Sequence, residues 1–209
     1  MTDYLRAVTS GRKLRMEEQG NGNFGLSLAE AEKGRSCGGC QLCCKLVPVF
    51  EDTFRKPAGT RCQHAKHGKG CTIYARRPES CIAWSCRWLS DPLTAGLPRP
   101  DRSHCVIDLE TDLVTRRFED GSTKDLPVLQ VWVDPAYPDA WKAPAMLTWL
   151  QAMAERFGYA AIVRLSSHKA IVVVAPALSG QGWVVVTDGV VMARNEQEAG
   201  ILAMARQTG

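Results

Sequence analysis

Apolar and polar positions follow two regimes along this chain, and the change falls near residue 104. Beyond it the pattern is regular. His104–Leu109 and Leu113–Phe118 read as short β-type runs separated by a turn, and Val128–Val133 reads as another. In Ala145–Phe157 the residues Met146, Leu150, Met153 and Phe157 recur at helical spacing. Pro144 suits the first position of that helix and Gly158 its exit. Ala160–Leu165, Ala170–Val174 and Trp183–Thr187 are β-branched runs, and Asp188-Gly189 joins the last of them to Val190–Arg194 as a two-residue hairpin. A final helix is expected from Asn195, with Glu198 placed for a capping box. The pattern predicts an α+β fold with a mostly antiparallel sheet and about two helices, with Trp132, Trp141 and Trp149 in its core.

Before residue 104 neither period holds. Met1 to about Ser36 is polar, contains Gly20-Asn21-Gly22-Asn23 and reads as a tail, with Leu26–Glu32 as a candidate short helix. From Cys37 to Trp88, Gly, Pro and Cys are frequent and apolar periodicity is weak, so this stretch has little core of its own. Asp91–Asp101, with Pro92, Pro98 and Pro100, reads as a linker or long loop. The expected organisation is a polar tail over 1–35, a Cys-rich module over 36–90, a Pro-rich linker over 91–103 and an α+β domain over 104–209.

Composition narrows the class. With 209 residues, 45% hydrophobic and 23% charged, the chain resembles an ordinary soluble protein. No apolar run approaches the ~20 residues of a membrane span. The stretch Met1–Arg15 has no apolar block of a secretory signal, so a cytoplasmic location and no membrane partner are expected. Nine cysteines in a reducing compartment point to metal or redox chemistry rather than a disulfide framework. Eight of them, Cys37, Cys40, Cys43, Cys44, Cys62, Cys71, Cys81 and Cys86, fall within fifty residues, and Cys105 lies apart in an apolar run. Residues 1–90 carry 15 Lys and Arg against 8 Asp and Glu, net +7, and the remainder 11 against 14, net −3. The basic residues are interleaved with the cysteines and form no separate stripe. They are read as offsetting thiolate charge, and a nucleic-acid partner is not expected.

The cysteine spacing carries the chemistry. Cys37-Gly38-Gly39-Cys40 is a metal-knuckle sequence: two intervening residues let both sulfurs face one ion, and glycine permits the positive φ of such curls. Cys43 extends it to C-x2-C-x2-C, the opening of a ferredoxin-type [4Fe–4S] run, but Cys44 follows at once and the usual continuation is absent. Neighbouring residues project differently, which implies two sites, a polynuclear centre, or one cysteine with another role. Thr72–Tyr74 reads as extended, and Pro78 as the first position of a helix carrying Cys81, whose free N–H groups would favour a thiolate. Cys86, between Trp84 and Trp88, is either an eighth ligand or a packed thiol. His64 and His67 could reach the centre beside Cys62, although Gly68-Lys69-Gly70 marks an exposed loop. His104 and His168 are read as structural.

The ordered set Cys37, Cys40, Cys43, Cys44, Cys62, Cys71, Ile73, Tyr74, Arg77, Pro78 and Cys81 resembles the CxxCxxCC domain of the YkgJ type, a zinc- or iron-chelating family. The resemblance covers roughly Ser36–Trp88 and implies metal binding without supplying a reaction. Related motifs occur in flagellin lysine N-methylases, but no separate methyltransferase signature is present here. GxSxG, Walker, HExxH and Rossmann patterns are missing, and Gly180-Gln181-Gly182 reads as a turn. The expected function is a cytoplasmic protein holding iron, as an iron–sulfur cluster in one version, or zinc. The alternative is a structural zinc module of a protein-interaction or protein-modifying, methylase-like factor with a protein partner.

Overall fold

The computed structural model describes residues 14–19, 23–28, 33–117, 122–166 and 169–187. The chain divides into two compact units, Met1–Asp108 and Leu109–Gly209. The hairpin expected around Asp188-Gly189, the helix expected from Asn195, and His168 lie outside the described residues.

In the first unit, β1 (Leu14–Gln19) and β2 (Asn23–Leu28) pair antiparallel, with Leu14 opposite Leu28, Met16 opposite Leu26 and Glu18 opposite Phe24. Part of the supposed tail is therefore a hairpin, and Leu26–Leu28 is strand where a short helix was expected. Phe24, Leu26 and Leu28 alternate with Gly25 and Ser27, the period of a strand. The cysteine region follows as short pieces: α1 (Leu42–Leu46), β3 (Val49–Phe50) paired with β4 (Arg55–Lys56), and β5 (Ala65–Lys66) paired with β6 (Gly70–Cys71). Helices α2 (Glu79–Ala83), α3 (Arg87–Ser90) and α4 (Pro100–Ser103) complete it. The stretch Thr72–Tyr74 is not extended throughout, because Tyr74 already opens a 3-10 turn over Tyr74–Arg76.

The segment expected as a linker is packed into this unit. Asp91, Thr94, Leu97 and Pro100 are buried. Pro92 and Pro100 each begin a helical turn, which their fixed φ favours, instead of acting as spacers. Leu42, Leu46, Val49, Leu89, Leu97, Val106 and Ile107 are among the buried aliphatic side chains of this unit.

The second unit is conventional. Strand β7 (Cys105–Arg117) contains the division between the units, and is followed by β8 (Thr123–Val133), β9 (Ala160–Arg164), β10 (Ala170–Val174) and β11 (Val184–Val186), in sheet order β11-β10-β9-β8-β7. Where two runs and a turn were expected over His104–Phe118, one continuous strand forms. The intervening Glu110-Thr111-Asp112 contains no Gly or Pro to break it. β9–β10 and β10–β11 are antiparallel, while β8–β9 is parallel. A parallel neighbour needs a long crossover, and α5 (Pro144–Phe157) supplies it. Pro144 begins α5 and Gly158 ends it at φ 72°, as the sequence predicts. Met146, Trp149, Leu150 and Met153 are its buried side chains, and Trp132 and Trp141 are buried too. The short helix α6 (Pro176–Ser179) also ends on a left-handed glycine, Gly180. The α+β class stands, with a mixed sheet. Among the described residues no helix is long and apolar enough to cross a membrane.

Candidate metal centre

The knuckle forms as its sequence requires. Cys40 N–H donates to Cys37 O at 2.8 Å, and the positive φ of the curl is taken by Gly38, at 46°. The β5–β6 hairpin lies against it: a Cβ on Gly70, itself at φ 78°, would come within 3.2 Å of Gly38 O. Gln41 is buried and its Nε2 donates to Lys66 O and Gly70 O, fastening the same hairpin to the start of α1. Both cysteines of the Cys43-Cys44 pair sit on α1, between buried Leu42 and Leu46. Successive helical residues point about 100° apart, since a turn takes about 3.6 residues. Two neighbourhoods meet at this pair: Cys43 lines the first and Cys44 does not, while the two thiols stay in hydrogen-bond contact with each other.

The first is a small cavity of about 20 Å³ lined by Cys37, Cys40, Cys43 and Cys86, with Trp88, Leu89, Pro100 and Val106 as its apolar walls. Cys86 is the residue preceding α3. Arg35 holds the two ends of this site together. Its Nη1 donates to Trp88 O, to Asp91 O at 3.0 Å and to Thr94 Oγ1 at 2.8 Å, and its guanidinium lies 5.2 Å from the Trp88 ring centroid. The buried Arg87–Asp91 pair, 2.8 Å apart, fixes α3 itself. Arg35, Gln41 and the Arg87–Asp91 pair are site-building residues that sequence reasoning missed. Only the i, i+4 spacing of Arg87 and Asp91 was a readable signal.

The second neighbourhood surrounds Lys56. Cys62 N–H donates to Cys44 O at 2.8 Å, which sets these two residues side by side. Glu51 accepts from Ser80 N–H at 2.6 Å and from Ser80 Oγ, docking the helix of Cys81 onto the β3–β4 hairpin. Lys56, at the end of that hairpin, is only 4% exposed, and its Nζ donates to Thr60 O at 3.0 Å and Pro57 O at 3.3 Å. Burial holds its pKa below the ordinary lysine value, opposed by Cys62, Cys44, Cys43 and Cys81.

A hydrogen bond with Cys44 raises Cys43 well above the ordinary thiol range, reinforced by burial and by Cys44, Cys86 and Cys37 nearby. The same bond lowers Cys44 to about 7, assisted by Lys56, Arg61 and Arg77. Burial lifts Cys40, and lifts Cys86 to about 12. Cys81 is raised to about 11, first by burial and then by Cys44, Cys62 and Glu51. Burial and these neighbours thus outweigh the helix-start assistance expected for a Cys81 thiolate. Pro78 is one residue before the helix, and the Ser80 N–H is occupied by Glu51.

The remaining sequence candidates are placed as follows. Cys71 is half-buried on β6 opposite Ala65 and does not line the cavity. His64 lies 5.8 Å from Phe54, ring to ring, and its Nε2 is 3.3 Å from Gln63 Nε2, while His67 is exposed. Cys105 is 2% exposed, raised to about 12 by burial alone, and absent from the cavity wall. All nine cysteines are free thiols. Among the described residues, no group of three or more Cys, His, Asp or Glu side chains is placed so that it could hold a metal ion.

No family model, curated protein or solved structure matches this chain. The likeness to the CxxCxxCC family rests on its motif residues alone.

Proposed function

We propose that this protein binds a thiophilic metal ion through Cys37, Cys40, Cys43 and Cys86. One observation carries the reading: these four thiols, drawn from two separate stretches of chain, line a single small cavity whose other walls are apolar. The volume, about 20 Å³, is room for one water-sized sphere. Water is a poor occupant there, because it needs two to four polar partners and thiols are weak ones. A soft cation is a good one. Four thiolates are a complete shell for zinc or a single iron, and a closed shell of that kind contributes folding energy rather than catalysis. Zinc is favoured over a [4Fe–4S] cluster because eight cluster atoms need far more room than this cavity offers.

An iron–sulfur centre is the second reading, and its support is the direct Cys43–Cys44 contact, which links the cavity to further thiols. Anaerobically purified protein analysed for zinc, iron and acid-labile sulfide separates the two. The expected result is metal without sulfide, reduced by about one ion per chain in Cys86→Ser and unchanged in Cys105→Ser. Cys86→Ser protein with a full metal complement would overturn the assignment, and stoichiometric sulfide would replace zinc with a cluster.

A further inference from the structure

One face of the sheet in the second unit carries three polar side chains among aliphatic ones. Val128, Gln130 and Trp132 alternate along β8 and so share that face, and Trp132 stands beside Arg164 of β9 in the parallel register. Val128, Ala160 and Ile162 form an apolar cluster there, with Val172 and Leu178 packed against it. Gln130 is nonetheless fully buried, and Trp132 is only 8% exposed. Arg164 ties the two together. Its Nε donates to Gln130 Oε1 at 2.7 Å, and its Cζ lies 4.9 Å from the Trp132 ring centroid. Gln130 Nε2 and Trp132 Nε1, two buried donors beside one guanidinium, have no acceptor among the described residues. Unpaired buried donors are costly, and nearly all find partners in native proteins. We propose that Gln130, Trp132 and Arg164 bind a small carboxylate ligand, whose oxygens accept from these two N–H groups.

The donor set selects the class of ligand. Indole and guanidinium only donate, and the one acceptor atom of the Gln130 side chain already takes the Arg164 Nε–H. A water molecule could accept from both N–H groups, but these three side chains offer its own hydrogens no open acceptor atom. A carboxylate needs donors alone, and its single negative charge matches the single positive charge of Arg164. A phosphate dianion would keep uncompensated charge in a buried setting. Position agrees with chemistry. Arg164, half-buried at the last residue of β9, is the member of the trio most open to solvent. It lies at the carboxyl end of the parallel β8–β9 pair, the end at which α/β sheets take their ligands. The carboxylate that follows β8, Asp134, is engaged in its own turn, where Oδ1 accepts from Ala136 N–H at 3.0 Å.

The test follows the indole and side-chain amide N–H signals of isotope-labelled full-length protein by NMR. Acetate, pyruvate or lactate is added, with chloride at equal ionic strength as the control. Trp132→Phe identifies the Trp132 signal among the six indoles. The Trp132 indole and Gln130 amide signals should move together and saturably with a carboxylate, and not with chloride. Trp132→Phe keeps a ring and loses the donor, so affinity read at Gln130 should fall about 10-fold. Gln130→Glu keeps an acceptor for Arg164 but puts an anion in place of the donor, and should abolish the response. If lost spectral dispersion shows Gln130→Glu to be unfolded, Trp132→Phe decides the matter. No saturable shift with any of the three carboxylates would overturn the proposal, as would unchanged affinity in Trp132→Phe. An equal response to inorganic phosphate would overturn the carboxylate assignment. A Trp132 indole N–H that contacts only a long-lived water would give the site to that water instead.

Discussion

Asp91 is the residue whose replacement should unsettle the cavity without touching a sulfur. Its carboxylate meets Arg87 at 2.8 Å with both side chains 6% exposed, and its other oxygen accepts from Leu93 N–H at 3.0 Å. Asp91→Ala removes both interactions. Stranding a buried guanidinium costs about 3–5 kcal/mol, and losing the cap adds about 1 kcal/mol. Asp91→Asn keeps a cap acceptor and should be milder by about that last amount. Replacing the pair together, Arg87→Met with Asp91→Leu, leaves no orphan charge and should recover most of the loss. The opening free energy is read by hydrogen exchange at Leu89, Asp91 and Thr94. Their N–H groups bond to Cys86 O at 2.9 Å, Arg87 O at 2.8 Å and Asp91 O at 3.1 Å. Where metal binding and folding of this unit are linked, a loss of 3 kcal/mol weakens apparent metal affinity roughly 100-fold. A change below about 1 kcal/mol at those amides in Asp91→Ala would refute the reasoning, since it would place the pair among weak surface bridges.

Three further outcomes follow. In metal-free protein Cys86 is raised from 9.0 to about 12, so the fold favours its protonated thiol. That stabilisation is present below pH 9 and is lost as pH rises toward about 12. Metal-bound protein already holds thiolates and should lose its ion on acidification instead, so circular dichroism titrations of the two forms should diverge at opposite ends of the pH scale. Gly70→Ala forces a residue at φ 78° into 3.2 Å contact with Gly38 O. It should destabilise the knuckle by about 1 kcal/mol or more, seen as faster metal transfer to a chelator. Met153→Ala, at a 4% exposed position of α5, should cost about 2–5 kcal/mol in denaturant unfolding of the second unit. Metal content should be unchanged.

How much was legible depended on whether the deciding interaction was local. The α5 helix, its proline start and its glycine stop were readable because periodicity and caps lie within one stretch of sequence. The strands β9 and β10 were readable for the same reason. The parallel pairing of β8 with β9 was not, because pairing is settled between strands more than twenty residues apart. The supposed linker misled because prolines that start helical turns and prolines that space domains are the same residues in sequence. Only the packing of Thr94 and Leu97 separates the two cases.

By itself the sequence determined the side chains available: eight clustered cysteines, a glycine-bearing Cys37–Cys40 turn, and an adjacent thiol pair. Tertiary structure alone decided the grouping. Cys86 lies more than forty residues from Cys43 yet shares its cavity, whereas Cys44, one residue away, does not line it. A helix turns neighbouring residues apart by about 100°, and long-range contacts such as Arg35 on Trp88 and Thr94 bring distant ones together. Thiol chemistry is written residue by residue. Which thiols share a cavity is a property of the packed chain.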